Sequence, residues 1–202
     1  MKHRFFRPLA AVMLVVGLSG FTALESLFAP SADLWPKWEA HDPASTQTVD
    51  HAPWGKFLKT YVKPGGDGAN RVAYGTVNEA DKKSLHDYLA SLRKVNVASL
   101  SRNEQLAYWI NLYNALTVRV VVHFYPVDSI QDINLTGGLF GGGGPWGKDL
   151  IRIDGEMISL NDIEHRILRP IWRDPRLHYA INCASVGCPN LAVTPYTAAT
   201  VN

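Results

Sequence analysis

The residues best suited to chemistry gather near the end of the 202-residue chain, where His178, Cys183 and Cys188 stand in LHYAINCASVGCP with the spacing H-x4-C-x4-C. A cysteine acts as a nucleophile only as its thiolate, which requires a neighbouring imidazole, cation or helix N-terminus. The turn Gly187-Cys188-Pro189 suits exposure of a sulfur, which makes Cys188 the expected nucleophile and His178 its expected base. Cys183 instead ends the apolar run 177–183, which predicts a buried strand. On such a strand His178 and Cys183 point to opposite faces, so His178 reaches Cys188 only where the loop folds back. His165, beside Glu164, is the alternative base for either thiol. Two other readings of the same residues stay open. One is a Cys183–Cys188 disulfide closing a small loop. The other is a zinc site drawn from His165, His178 and both thiols, which would need four ligands, or three and a water.

A second set of polar residues lies upstream, in an apolar setting. Ser101 and Glu104 match a capping box, in which each side chain satisfies a free backbone donor of the other. Leu106, Trp109, Ile110, Tyr113, Leu116 and Val120 then give a broad apolar face that Pro126 ends, so the helix is expected to be central and buried. Glu104, Asn111 and Asn114 fall on one stripe of it. Polar groups there are costly unless satisfied. Either they tie neighbouring loops to the helix, or Glu104 and Asn111 orient a catalytic group while Asn114 holds substrate. Trp146, in the glycine-rich loop from Gly137 to Gly147, reads as the anchor of a lid and a second substrate contact. The stretch GGGPWGKD is a near miss to a phosphate-binding loop. Asp149 stands where that motif needs Ser or Thr, and a hairpin rather than a helix follows.

The positioning elements are legible around these residues. Asn78 is placed to cap a helix carrying Leu85, Tyr88, Leu89 and Leu92 at helical spacing. Asp154-Gly155 between two short apolar runs predicts a β-hairpin. Ser159 to Asp162 opens a short helix that Pro170 is expected to close. Residues 33–77, rich in Trp, Pro and Gly, read as an arm packing through Trp35, Trp38, Trp54 and Phe57 onto a domain spanning 78–202. The fold class expected is α+β, a central buried helix against a small, mostly antiparallel sheet.

Length and composition fit one globular domain and exclude disordered, collagen-like and disulfide-dense classes. Residues 1–32 read as an export signal, with Lys2, Arg4 and Arg7 ahead of the apolar run from Leu9 to Leu18. The stretch from Leu9 to Phe28 also has the length of a membrane anchor, although Glu25 interrupts it. An exported protein, periplasmic or extracellular, is therefore expected, in a compartment where a disulfide persists. Beyond that segment 17 basic residues face 17 acidic ones, without a basic stripe, so a nucleic-acid partner has no electrostatic footprint. The sequence points to no cofactor, and the expected partner is a peptide or small molecule.

Three stretches carry a resemblance: NEQLAYWINLYNA from Asn103, SLNDIEHRILRP from Ser159 and DPRLHYAINCASVGCP from Asp174. Over roughly residues 78–195 the chain resembles the family known as domain of unknown function 547. The resemblance implies no established activity. Its Glu, Asn, His and paired Cys are similar, by analogy alone, to thiol-hydrolase sites of the papain and transglutaminase kind. The expectation is an exported thiol-dependent hydrolase or transferase acting on an amide or ester bond. The alternative is a non-catalytic binding or structural domain whose two cysteines staple a loop. The family's domain ordinarily continues well past the Cys-Pro motif, whereas this chain stops at Asn202. An exposed sheet edge or apolar patch beside the Cys-Pro loop, with 177–183 as the central strand, is the expected consequence.

Overall fold

Helix α3, Arg102–Phe124, is the axis of the fold, and nearly all of its residues from Glu104 to Val122 are buried. Its cap is half of the expected box. The Ser101 hydroxyl accepts from the Glu104 N–H at 3.4 Å, but the Glu104 carboxylate turns away and accepts from the Val49 N–H at 2.6 Å. The carboxylate thus satisfies a donor brought in from the preceding segment rather than one of its own helix.

The computed structural model describes residues 32–135, 144–185 and 187–201, and residues from Ala32 onward form one compact unit. The export or anchor segment, all but its last residue, lies outside the described residues, as does most of the glycine-rich loop. Among the described residues no helix is long and apolar enough to cross a membrane.

The order is α1 (Ala52–Tyr61), β1 (Val62–Pro64), β2 (Asn70–Val72), α2 (Glu79–Leu92), α3, β3 (Ile151–Ile153) and β4 (Glu156–Ile158). A π-helical segment, Asp162–Leu168, then runs into α4 (Arg169–Trp172), and α5 (Leu177–Ala180) follows. Each strand pair is an antiparallel hairpin, with registers Val62↔Val72 and Ile151↔Ile158. The class is α+β, as expected. In the β3–β4 turn Asp154 and Gly155 both take positive φ, 46° and 85°, the conformation that favours Asp-Gly in a two-residue hairpin. Helix α2 begins as expected, with the Asn78 side chain accepting from the Asp81 N–H.

The segment 33–77 belongs to the core. Trp38, Trp54, Phe57, Leu58 and Tyr61 are buried in one cluster with Trp109 and Leu112 of α3 and Leu85 and Leu89 of α2. Helix α1 arises there because Pro53 occupies its first turn, where a missing N–H costs nothing, and Asp50 Oδ1 accepts from the Ala52 N–H at 2.8 Å. The preceding His51 is turned inward, its Nδ1 hydrogen-bonded to the Tyr88 hydroxyl at 2.7 Å.

Ser159 and Asp162 do form a reciprocal box. The Asp162 carboxylate accepts from the Ser159 N–H at 3.0 Å, and Ser159 Oγ accepts from the Asp162 N–H at 3.1 Å. Pro170, however, does not close the helix, which continues to Trp172. Lacking an N–H, Pro170 leaves a carbonyl four or five residues earlier without its helical donor. The carbonyls there, on Arg166 and His165, accept from the N–H groups of Trp35 at 2.9 Å and Asp33 at 3.1 Å. The helix tolerates its proline because the N-terminal segment supplies the missing donors.

The expected strand 177–183 is overturned. Leu177–Ala180 is a helical turn, followed by an extended stretch that pairs with no strand, and Leu177 and Ile181 are buried. Asp174-Pro175 starts this turn: the Arg176 N–H donates to Asp174 Oδ1 at 2.8 Å, and the Leu177 N–H to the Asp174 carbonyl at 3.2 Å. Among the described residues no strand forms there, so 177–183 presents no sheet edge.

Candidate functional site

The polar residues of α3 act on backbone, and through it on the cysteine loop. Asn111 clamps Tyr196, its Nδ2 donating to the carbonyl at 2.8 Å and its Oδ1 accepting from the N–H at 3.0 Å. Asn114 clamps the stretch after α5: Nδ2 donates to the Ala180 carbonyl at 2.9 Å and Oδ1 accepts from the Asn182 N–H at 2.8 Å. Asn182 carries the restraint onward. Its side chain donates to the Pro189 carbonyl at 2.6 Å and accepts from the Ala184 N–H at 3.0 Å, spanning the loop from inside.

Within that loop Cys183 and Cys188 are joined as a disulfide, with Cα atoms 5.9 Å apart, inside the usual range for a bridge. The Cys188 N–H donates to the Ser185 carbonyl at 3.0 Å. Ala184 lies in the left-handed region at φ 57°, an unfavourable place for a residue with a Cβ. Such strain persists only where the surroundings over-determine the backbone, as Asn182 and the bridge do here.

The loop forms one wall of a groove of about 360 Å³, whose lining includes Cys188, Ser185 and Asn182 on one side and Asn70, Arg71 and Tyr74 on the other. Reciprocal asparagines hold the walls together. Asn190 Oδ1 accepts from the Asn70 N–H, Asn70 Nδ2 donates to the Leu191 carbonyl, and Asn190 Nδ2 donates to the Gly68 carbonyl, each at 2.8 Å. Arg71 is committed to Asp67 in a two-pronged pair at 2.9 and 2.6 Å, which holds the Asp67 carboxyl well below its ordinary range. Burial pushes the Tyr74 hydroxyl up to about 12, so it stays protonated at neutral pH. The β1–β2 wall falls within the segment 33–77 that the sequence marks only as an arm.

The other expected residues lie apart from the groove lining. His178 is exposed on α5 with its ring 5.3 Å from that of Tyr179. His165 sits on the π-helical segment, 3.9 Å from Glu164, and burial lowers its pKa. Glu164 is itself taken by Arg169 at 2.6 Å, and the Tyr113 hydroxyl donates to it at 3.4 Å. Glu104 is spent on Val49. Trp146 packs against the core as an anchor, its ring lying over Gly144 and its carbonyl accepting from the Asn161 N–H at 2.8 Å. Tyr108 is fully buried, donating to the Leu92 carbonyl at 3.0 Å. Among the described residues no three His, Cys, Asp or Glu side chains converge as metal ligands would, so His165, His178 and the two sulfurs make no common site.

A family model described as protein of unknown function, DUF547, matches residues 97–202. That span carries α3, the asparagine clamps and the cysteine loop, while the β1–β2 wall of the groove lies ahead of it. No curated protein and no solved structure matches the chain. The chain belongs to the DUF547 family.

Proposed function

We propose that the unit from residue 32 onward is an exported ligand-binding domain, in which the Cys183–Cys188 bridge staples one wall of a groove for a short peptide or small polar molecule. The observation carrying this reading is that Cys188 lines the groove with its sulfur already committed to Cys183. The groove volume is of the size small ligands occupy, roughly 300–1,000 Å³. Export is supported by the basic and apolar start of the chain, and by a bridge of the kind that persists in oxidising compartments. The test is amide NMR of the oxidised full chain against a panel of short peptides and small polar molecules. Saturable shifts at Asn70, Asn182 and Ser185, abolished by Ser185→Trp, are expected. Shifts confined to other surfaces would remove the reading.

A second reading is the thiol-dependent hydrolase or transferase, favoured by the placement of Cys188 on the groove wall next to a strained Ala184. Reduction would free the Cys188 thiolate to attack an amide or ester carbonyl and expel the amine or alcohol. His178 or His165 would serve as base, whereas Glu104, Asn111 and Asn114 would first have to leave the backbone groups they now bind. It requires a histidine to move to the sulfur, since none lines the groove. Turnover of an activated ester by the reduced protein, lost in Cys188→Ala and kept in Cys183→Ala, would establish it over the binding reading.

A further inference from the structure

Two grooves meet beside α2 and α3, sharing His86, Arg119 and Leu150. The first, about 340 Å³, is walled largely by Leu85, Val120, Val122 and Phe124. The second, about 280 Å³, adds Arg93 and Arg152 to the shared Arg119. None of these three arginines is ion-paired among the described residues, unlike Arg71, Arg166, Arg169 and Arg176. Arg119 is half-buried and donates to the Leu150 carbonyl at 3.0 Å, and Arg152 donates to the Gly155 carbonyl at 2.7 Å. Lys82 at the apolar rim is paired with Glu79, and His86 stands 3.7 Å from Asp87. The junction therefore presents guanidinium charge lacking a carboxylate, directly beside an apolar trough.

We propose that the joined grooves bind a single-chain anionic amphiphile, its carboxylate or phosphate head among Arg93, Arg119 and Arg152 and its alkyl chain along Val120, Val122 and Phe124. Guanidinium forks match both head groups, and burial of the chain supplies the affinity. The site is separate from the cysteine-loop groove and shares no lining residue with it.

The test is calorimetric titration of the full chain with dodecanoate, dodecyl phosphate and dodecanol, each below its micellar concentration. One anion at least should bind saturably at one per chain and at least tenfold more tightly than dodecanol, and the tighter of the two identifies the head. The double variant Arg93→Gln, Arg152→Gln changes two exposed side chains, and an unchanged melting temperature would verify its fold. It should weaken the anion roughly tenfold, the size expected for two partly exposed charge contacts, and leave dodecanol unchanged. Equal binding of dodecanol, binding of neither anion, or an unweakened anion in the double variant would overturn the proposal.

Discussion

At the scale of single residues, buried polar groups decide what holds still. Asn114 is 2 % exposed and serves one carbonyl and one N–H of the part-buried stretch leading to the cysteine loop. Asn114→Ala removes both partners and leaves those backbone groups unsatisfied, a cost of about 2–4 kcal/mol. Urea unfolding should register that loss, and proteolysis within 180–190 should accelerate along with it. His51 makes a second prediction. Burial lowers its pKa from 6.5 to about 4, against the opposing Asp50 charge, and the neutral ring is hydrogen-bonded to the Tyr88 hydroxyl. The unfolded chain therefore takes up this proton first as pH falls. Stability from the neutral ring is whole above pH 6.5 and drains away down to pH 4, by up to about 3 kcal/mol. Comparing urea midpoints at pH 7.5 and 4.5 should show a smaller acid loss in His51→Phe than in the natural protein. An equal loss would assign the sensitivity to other groups.

At the scale of elements, local signals were legible and tertiary ones were not. The Asn78 cap, helix α3 and the Asp154-Gly155 hairpin each declare themselves within a few residues, because cap and turn chemistry is local. Helix α1 hid behind Trp, Pro and Gly. Its Trp54, Phe57, Leu58 and Tyr61 nonetheless recur at i, i+3, i+4 and i+7, and Pro53 is a helix-start signal. The run 177–183 misled because its alternation of Leu177, Tyr179 and Ile181 fits a strand, whereas the turn at Asp174 and the clamp from Asn114, 66 residues away, set its path. Of the candidate site, the cysteine pair and the asparagine ties were readable as alternatives. The opposing β1–β2 wall was not, since nothing local announces that two distant turns will share asparagine hydrogen bonds. The box at Ser159 offers a test at this scale. Burial would raise the Asp162 carboxyl, but hydrogen bonds from Ser159 and Arg166 outweigh it and hold it below its usual value. Ser159→Ala should cost about 1 kcal/mol, the usual loss of a cap, read as a lowered melting temperature.

At the scale of the molecule, the segment before the family match is structural. It supplies Trp38 and Trp54 to the core, the donors that complete the proline-bearing helix, and one wall of the groove. A fragment of residues 78–202 should accordingly lack a cooperative melt, since losing even one such buried tryptophan costs about 3–5 kcal/mol. The binding reading rests on a groove whose cysteine wall is stapled in the resting protein. Intact-mass analysis of the native full chain, alkylated with and without prior reduction, tests this most directly. A stapled loop takes no adduct on the unreduced protein and two after reduction, at Cys183 and Cys188. An adduct on Cys188 in the unreduced native protein would contradict it and leave the thiol-enzyme reading in its place.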